Sequence, residues 1–138
     1  KNVRKALKTH PMWQEYNSRC ISCGACTVAC STCTCFTTRD VIYGDNPEVG
    51  ERRRVTASCQ IAGFDQMAGQ KEFRSTAAER MRYKVLHKFH DYKARFGQEH
   101  MCVGCGRCTH RCPEFISISA TVNKVSAAVD EIRAALDR

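Results

Sequence analysis

The stretch CISCGACTVAC, residues 20–30, has a near copy in CVGCGRCTHRCP, residues 102–113. Both follow the spacing C-x2-C-x2-C-x3-C, and in the second a proline follows the last cysteine. Cysteine runs of this kind are typical of ligands to 4Fe-4S clusters. Three cysteines on one short loop can reach three irons of a cubane, while the fourth, at the start of the next helical turn, faces away. The two runs therefore predict a pair of clusters held close together, and hence electron transfer.

The x3 gap predicts that the runs exchange ligands, as in two-cluster ferredoxins, where the fourth cysteine binds the other cluster. The first 4Fe-4S cluster is expected on Cys20, Cys23, Cys26 and Cys112, and the second on Cys102, Cys105, Cys108 and Cys30. In each run a glycine, Gly24 or Gly106, follows the second cysteine. Glycine can adopt positive φ and let backbone N–H groups turn toward the sulfurs, as a cluster loop requires.

A zinc site and a disulfide scaffold are weaker interpretations of these cysteines. A tetrahedral zinc ion needs only four ligands, usually from two separated pairs, and has no use for a four-cysteine run. A disulfide scaffold suits a small secreted chain, but the cysteines number eleven, an odd count, and no signal-peptide pattern precedes the first run. Cluster binding is the interpretation in which every cysteine of both runs is a ligand.

Length and composition fit one domain that depends on its cofactors. A chain of 138 residues has room for a modest core, with inorganic clusters supplying much of the remaining stability. No apolar stretch approaches the roughly 18 residues of a membrane span, so no membrane partner is expected. The number of reduced thiols favours a cytoplasmic location.

The charge balance is basic, with 22 Lys and Arg against 14 Asp and Glu and a formal net charge of +8. Such an excess is common in proteins that bind nucleic acid or acidic partners. Each oxidised cluster with four thiolates carries roughly −2, so part of the excess offsets the cofactors. Arg52, Arg53 and Arg54 form only a short run without a recognition motif, so no nucleic-acid partner is expected.

The organisation of the chain predicts a single iron–sulfur domain over residues 1–138, with residues 31–101 inserted between the two cysteine runs. Within the insertion, residues 36–43 and 52–58 are rich in Thr, Val and aromatic side chains. They flank a turn marked by Gly, Asp, Asn and Pro at residues 44–50, and this pattern predicts a β-hairpin.

Two helices are predicted after the hairpin. From Ala77 onward apolar residues recur at helical spacing; Thr76 and Glu79 form a capping box, and Gly97 supplies the stop. A second amphipathic helix is expected from about Val122 to Leu136. Together these elements predict an α+β fold, in which a ferredoxin-like two-cluster core carries an inserted β-hairpin and long helix and ends in a helical C-terminus.

Three cysteines remain outside the two runs: Cys33, Cys35 and Cys59. They flank the ends of the predicted hairpin, so three thiolates come together and can hold a third 4Fe-4S cluster if another group binds its fourth iron. The histidines available for this role are His87, His90, His100 and His110. His87 is favoured because it lies near the middle of the predicted long helix, where a rigid element could aim it inward. Two alternatives stay open: that these cysteines pack as small hydrophobic residues, and that His87 is an ordinary helix residue.

Further strings resemble a known family. They are CISCGACTVACSTCTCF at residues 20–36, RRVTASC at 53–59, AGQKEFR at 68–74, VLHKF at 85–89 and HMCVGCGRC at 100–108. With these strings the chain, from about Arg19 to Val125, resembles the iron–sulfur electron-transfer subunits of anaerobic sulfite reductases. Those subunits are similar in turn to the beta subunits of cytoplasmic nickel–iron sulfhydrogenases.

The resemblance implies that the eight run cysteines are cluster ligands. It implies that the chain carries electrons from an NADH-oxidising flavin subunit to a sirohaem subunit that reduces sulfite, and that it is the C-terminal part of a larger subunit. The sequence contains no motif for bond-making chemistry, so the chain is expected to belong to an enzyme without being its catalytic site. The alternatives are the beta subunit of a cytoplasmic nickel–iron hydrogenase and, in another class, a cluster-based redox sensor or regulator.

Overall fold

The computed structural model describes residues 2–137, which form seven α-helices and one two-stranded β-hairpin. The helices are α1 Asn2–Thr9, α2 Glu15–Arg19, α3 Ala25–Val28, α4 Ala77–Leu86, α5 Tyr92–Phe96, α6 Arg107–His110 and α7 Ile118–Leu136. The strands are β1 Phe36–Ile42 and β2 Gly50–Thr56, two 3-10 turns span Pro11–Trp13 and Ala68–Gln70, and a π turn spans His87–Asp91. Within this described range, no helix is long and apolar enough to cross a membrane.

The hydrophobic core lies among α1, α2, α4 and α7. Trp13 and Tyr16, 2% and 1% exposed, pack there with apolar side chains from α4 and α7. Trp13 Nε1 donates to the carbonyl of Leu7 at 2.8 Å, and the Tyr16 hydroxyl donates to Thr121 Oγ1 at 2.9 Å. These buried hydrogen bonds satisfy the polar ends of two large side chains and join the N-terminal helices to α7. The core therefore forms one wall against which both cysteine runs are held.

The predicted hairpin is present. β1 and β2 pair antiparallel, from Phe36 opposite Thr56 to Ile42 opposite Gly50. Most of its side chains are exposed, and Arg52 donates to both carboxylate oxygens of Asp40, at 2.6 and 2.9 Å. β2 begins at Gly50 instead of the predicted residue 52, because its backbone pairing with β1 continues to the turn.

The predicted long helix is present as α4, the π turn and α5 in continuous succession. Thr76 Oγ1 accepts from the Glu79 backbone N–H at 3.2 Å, and the Glu79 carboxylate accepts from the Thr76 N–H at 3.1 Å, so the capping box is confirmed. Gly97 ends the helix at a φ of 73°. The π turn was not predicted. The carbonyl of Lys88 in that turn accepts a hydrogen bond from the Met101 N–H at 2.9 Å, which fastens the following loop to the helix.

The C-terminal helix α7 begins at Ile118 instead of near Val122, because Ser117 provides an N-cap. The Ser117 hydroxyl accepts from the Ala120 N–H at 3.3 Å and so satisfies a backbone donor that the helix leaves free. The mixed helix and strand architecture, with the hairpin and long helix between the two runs, confirms the predicted fold class.

Candidate metal centres

The two cysteine runs adopt the same local structure. Gly24 and Gly106 have φ values of 75° and 72° and stand directly before α3 and α6. After these short helices, the N–H of Cys30 donates to the carbonyl of Thr27 and that of Cys112 to the carbonyl of Thr109, each at 3.2 Å. In both runs a glycine turn followed by one helical turn thus directs the fourth cysteine away from the first three.

The two runs meet where α3 packs against α6. One cleft at this junction is lined by Cys20, Cys23, Cys26 and Cys112. The backbone N–H of Ile116 donates to the Cys112 sulfur at 3.4 Å. The cleft therefore contains three sulfurs from the first run and the last sulfur of the second.

A second, larger cavity also takes its cysteines from both runs. It is lined by Cys102, Cys105, Cys108 and Cys30, together with Lys84 and Lys88. Cys30 is the fourth cysteine of the first run, so this cavity mirrors the first cleft. The eight run cysteines thus fall into the two groups that an exchange of ligands would require, while ligation itself stays a prediction.

The three remaining cysteines also share one cleft. Cys33, Cys35 and Cys59 line it together with His87. The hairpin brings them together because the Ala57 N–H donates to the Cys35 carbonyl at 3.0 Å, which continues the pairing past the ends of β1 and β2. Of the histidines in the described range, only His87 lines this cleft.

The other histidines considered for a third site lie elsewhere. His100 and His110 border the second cavity, and His90 Nδ1 lies 2.8 Å from Asp91 Oδ1. The ring of His87 itself stacks on Tyr83, with 5.5 Å between the ring centroids.

Two thiols of the third group, those of Cys33 and Cys59, resist ionisation in the protein alone. Burial, with the neighbouring charge of Cys35, raises the pKa of Cys59 to about 12. Burial is also the main reason that the pKa of Cys33 is raised to about 11, although the ammonium of Lys88 opposes it. A bound metal ion displaces such protons, because the thiolate is the form that ligates.

The pKa of Cys30 is shifted in the opposite direction. Partial burial opposes its ionisation, but hydrogen bonds with Thr32 and the charge of Lys88 outweigh that effect and lower the pKa of Cys30 to about 7. The Cys30 sulfur lies 3.2 Å from Thr32 Oγ1 and 3.5 Å from Lys88 Nζ. The second cavity therefore stabilises a thiolate at Cys30, the cysteine of the first run that is predicted to bind the second cluster.

Lys84 and Lys88 are buried beside the cysteines, a feature that sequence analysis missed. Only 6% of Lys84 and 4% of Lys88 is exposed. A signal was present, because both residues continue the helical spacing of the apolar face that contains Met81 and Val85. An amphipathic pattern marks such positions as buried, but lysine is normally assigned to the solvent side.

The donors fit iron–sulfur clusters. Each of the two run-derived groups offers four cysteine sulfurs, the ligand set that 4Fe-4S clusters use. In residues 2–137 no three Cys, His, Asp or Glu side chains converge closely enough to hold one metal ion. A cubane is held differently, because each thiolate binds a separate iron.

Comparison with known proteins agrees with this chemistry. Residues 19–116 match the 4Fe-4S dicluster domain family, and the chain belongs to that family. The protein is therefore an iron–sulfur protein with two 4Fe-4S clusters, as predicted. Over 118 residues, 85% of the chain, it is 33% identical to sulfhydrogenase 2 subunit beta of Pyrococcus furiosus. The chain spans 34% of the length of that relative. No solved structure matches the chain significantly.

The paired glycines generate a prediction about the first run. A Cβ at Gly24 would lie 2.8 Å from Ser58 Oγ, whereas a Cβ at Gly106 would have nothing within 4 Å. Gly24→Ala and Gly106→Ala each cost about 1–2 kcal/mol from positive φ. Only Gly24→Ala adds an overpacking cost of about 1–3 kcal/mol. We expect Gly24→Ala to retain less iron after anaerobic isolation than Gly106→Ala, and equal iron contents would contradict this account.

Proposed function

We propose that the chain relays single electrons through adjoining iron–sulfur clusters inside a larger oxidoreductase complex. The observation that carries the proposal is that each of the two main cysteine groups draws sulfurs from both runs. Two cofactors held in this way adjoin each other across the contact between α3 and α6. The bound clusters supply one-electron chemistry with little geometric change, and the protein supplies thiolates, charge and exclusion of water.

In this proposal Cys20, Cys23, Cys26 and Cys112 hold the first cluster, and Cys102, Cys105, Cys108 and Cys30 hold the second. Cross-ligation makes each cluster dependent on the folding of both runs. The hydrogen bond from the Ile116 N–H to the Cys112 sulfur and the contact of Lys88 with the Cys30 sulfur support these two cysteines as the exchanged ligands.

The complex we propose is an anaerobic sulfite reductase. Electrons enter from a flavin subunit that oxidises NADH, and they leave to a sirohaem subunit that reduces sulfite. The strings between the cysteine runs support this assignment, because they resemble the iron–sulfur subunit of that enzyme and are more selective than the cysteine spacing. The chain is then an electron-transfer component, while the sirohaem subunit performs the bond-breaking chemistry.

A second candidate complex is a cytoplasmic nickel–iron hydrogenase. The similarity to sulfhydrogenase 2 subunit beta favours it, since that relative matches most of the chain. In a hydrogenase the same clusters would connect a nickel–iron subunit with the electron carrier. The partner that copurifies with the chain, a sirohaem or a nickel subunit, distinguishes the two complexes.

We also propose a third 4Fe-4S cluster on Cys33, Cys35, Cys59 and His87. Their common cleft supports it, as does the count of three thiolates beside one imidazole. Lys84 and Lys88 line both this cleft and the second cavity, so the third cluster would adjoin the second. A chain of three sites would extend the path over which electrons travel.

The exchange of ligands can be tested with Cys112→Ser. The electron paramagnetic resonance signal of the reduced first cluster is identified as the one that Cys23→Ser alters, and that of the second by Cys105→Ser. We expect Cys112→Ser to alter the first-cluster signal, because Cys112 lies in the first cleft, and Cys30→Ser to alter the second. A Cys112→Ser variant that changes only the second-cluster signal would be incompatible with exchange.

The relay can be tested in the intact complex isolated with its partners. We expect Cys105→Ser to abolish sulfite reduction driven by NADH, while a small artificial donor still drives sulfite reduction at the sirohaem subunit. The physical reason is that the variant interrupts the electron path and leaves the catalytic site untouched. Sulfite reduction by the purified chain alone would refute the relay, and turnover of hydrogen by the complex would identify the hydrogenase instead.

The third site can be tested by iron analysis. Three cubanes require about twelve irons per chain and two require about eight. We expect Cys59→Ser and His87→Ala to change the iron content or the spectrum of the reduced protein, while His90→Ala, a histidine of the same helical segment, changes neither. Iron near eight, with Cys33→Ser, Cys35→Ser and Cys59→Ser all leaving the spectra unchanged, would make these cysteines packing residues.

A further inference from the structure

Lys84 and Lys88 lie one helical turn apart, and both are buried against cysteine groups. An ammonium group is almost never fully buried unless a counter-charge accompanies it, because removing it from water is costly. Among residues 2–137 neither lysine forms an ion pair with a carboxylate. Lys88 Nζ instead lies 2.9 Å from Thr32 Oγ1 and 3.5 Å from the Cys30 sulfur. The negative charge available to balance these two ammonium groups is that of cysteine thiolates.

Both lysines border the second and third cysteine groups. Lys84 lines the second cavity and the third cleft and is absent from the residues that line the first cleft. Burial alone would lower the pKa of Lys84, but the negative charges of the Cys26, Cys108 and Cys33 sulfurs outweigh burial and raise it. The lining residues therefore place Lys84 between the second and third groups.

Lys88 lies at the same junction of the second and third groups. Burial again disfavours the charged ammonium of Lys88. The negative charges of the Cys33 and Cys30 sulfurs have the larger effect and raise the pKa of Lys88. Cys33 belongs to the third group and Cys30 to the second. Lys88 lines the second cavity and the third cleft and is absent from the residues that line the first cleft.

We infer that Lys84 and Lys88 are fixed positive charges that raise the reduction potentials of the clusters at the second and third sites. The inference rests on the cysteine ligation given in the proposed function. It gives these two lysines a role in setting the cluster potentials, which the cysteine pattern does not predict.

The direction follows from electrostatics. When one electron passes from a low-potential donor to a site, the donor is oxidised by one electron and the net charge of the site becomes more negative by one. A nearby cation stabilises the reduced form more than the oxidised form, which raises the potential. Burial keeps salt and water from screening the interaction.

The test is a redox titration of anaerobically isolated protein, followed by electron paramagnetic resonance, in Lys84→Met and Lys88→Met. Methionine keeps most of the side-chain volume and removes the charge. We expect Lys84→Met and Lys88→Met each to lower the second-site potential, and Lys88→Met to leave the first-site potential unchanged. A tenfold weaker reduction equilibrium corresponds to about 59 mV for a one-electron couple, and we expect shifts of at least that size. Lys93→Met, at an exposed lysine in α5, is the matched control and should shift neither potential.

The outcomes separate the inference from the proposed function. Potentials that stay unchanged in both variants, at full iron content, would overturn the tuning role while leaving the relay intact. Iron absent from the unaltered protein would instead refute cysteine ligation. If Lys84→Met fails to retain iron, the comparison of Lys88→Met with the charge-retaining Lys88→Arg is decisive. A second-site potential that is lowered in Lys88→Met and unshifted in Lys88→Arg supports the inference. Equal second-site potentials in these two variants overturn it.

Discussion

The packing of α3 against α6 is the contact on which the rest of the structure depends. Each of these helices is a single turn, too short to be stable in isolation. Each is held by a glycine turn before it, by its partner helix and, in the proposed function, by clusters that draw on both runs. Because the two runs are far apart in sequence, this contact closes a long loop, and the entropy of closure rises only slowly with loop length. A segment as long as residues 31–101 between the two runs is therefore compatible with a compact pair of sites.

The segment between the two runs also contributes side chains to the sites. The Ser58 hydroxyl, at the exit of the hairpin, lies 2.5 Å from Thr27 Oγ1 in α3, and Arg80 in α4 donates to Ser22 Oγ at 2.9 Å. These polar contacts fasten the hairpin exit and the long helix to the first run. The segment thereby positions both the remaining cysteines and the two buried lysines.

Much of this architecture could be predicted from sequence because its signals are local. Cysteine spacing identified the two clusters, and the Thr76–Glu79 capping box and Gly97 marked the ends of the long helix. Counting residues outside the runs selected Cys33, Cys35 and Cys59, which the structure brings into one cleft. These signals concern covalent neighbours or a single turn of helix, where tertiary context matters little. The missed features depend instead on contacts between distant residues. Periodicity marks which helix face is buried, but it does not reveal that the burial of Lys84 and Lys88 is compensated by sulfur from other segments.

The π turn, which also depends on tertiary structure, connects the second run to the buried charges. The Tyr92 N–H donates to the carbonyl of His87 instead of the one that an α-helix would use. The Met101 N–H donates to the carbonyl of Lys88, so the residue before Cys102 is fastened at the turn that carries Lys88 and His87. The chain therefore delivers the second run to the lysine side of the helix, where the second cavity and the third cleft adjoin. π turns occur frequently at functional sites. Here one turn fixes three things together: the entry of the second run, the position of a buried cation and the approach of an imidazole to the remaining cysteines.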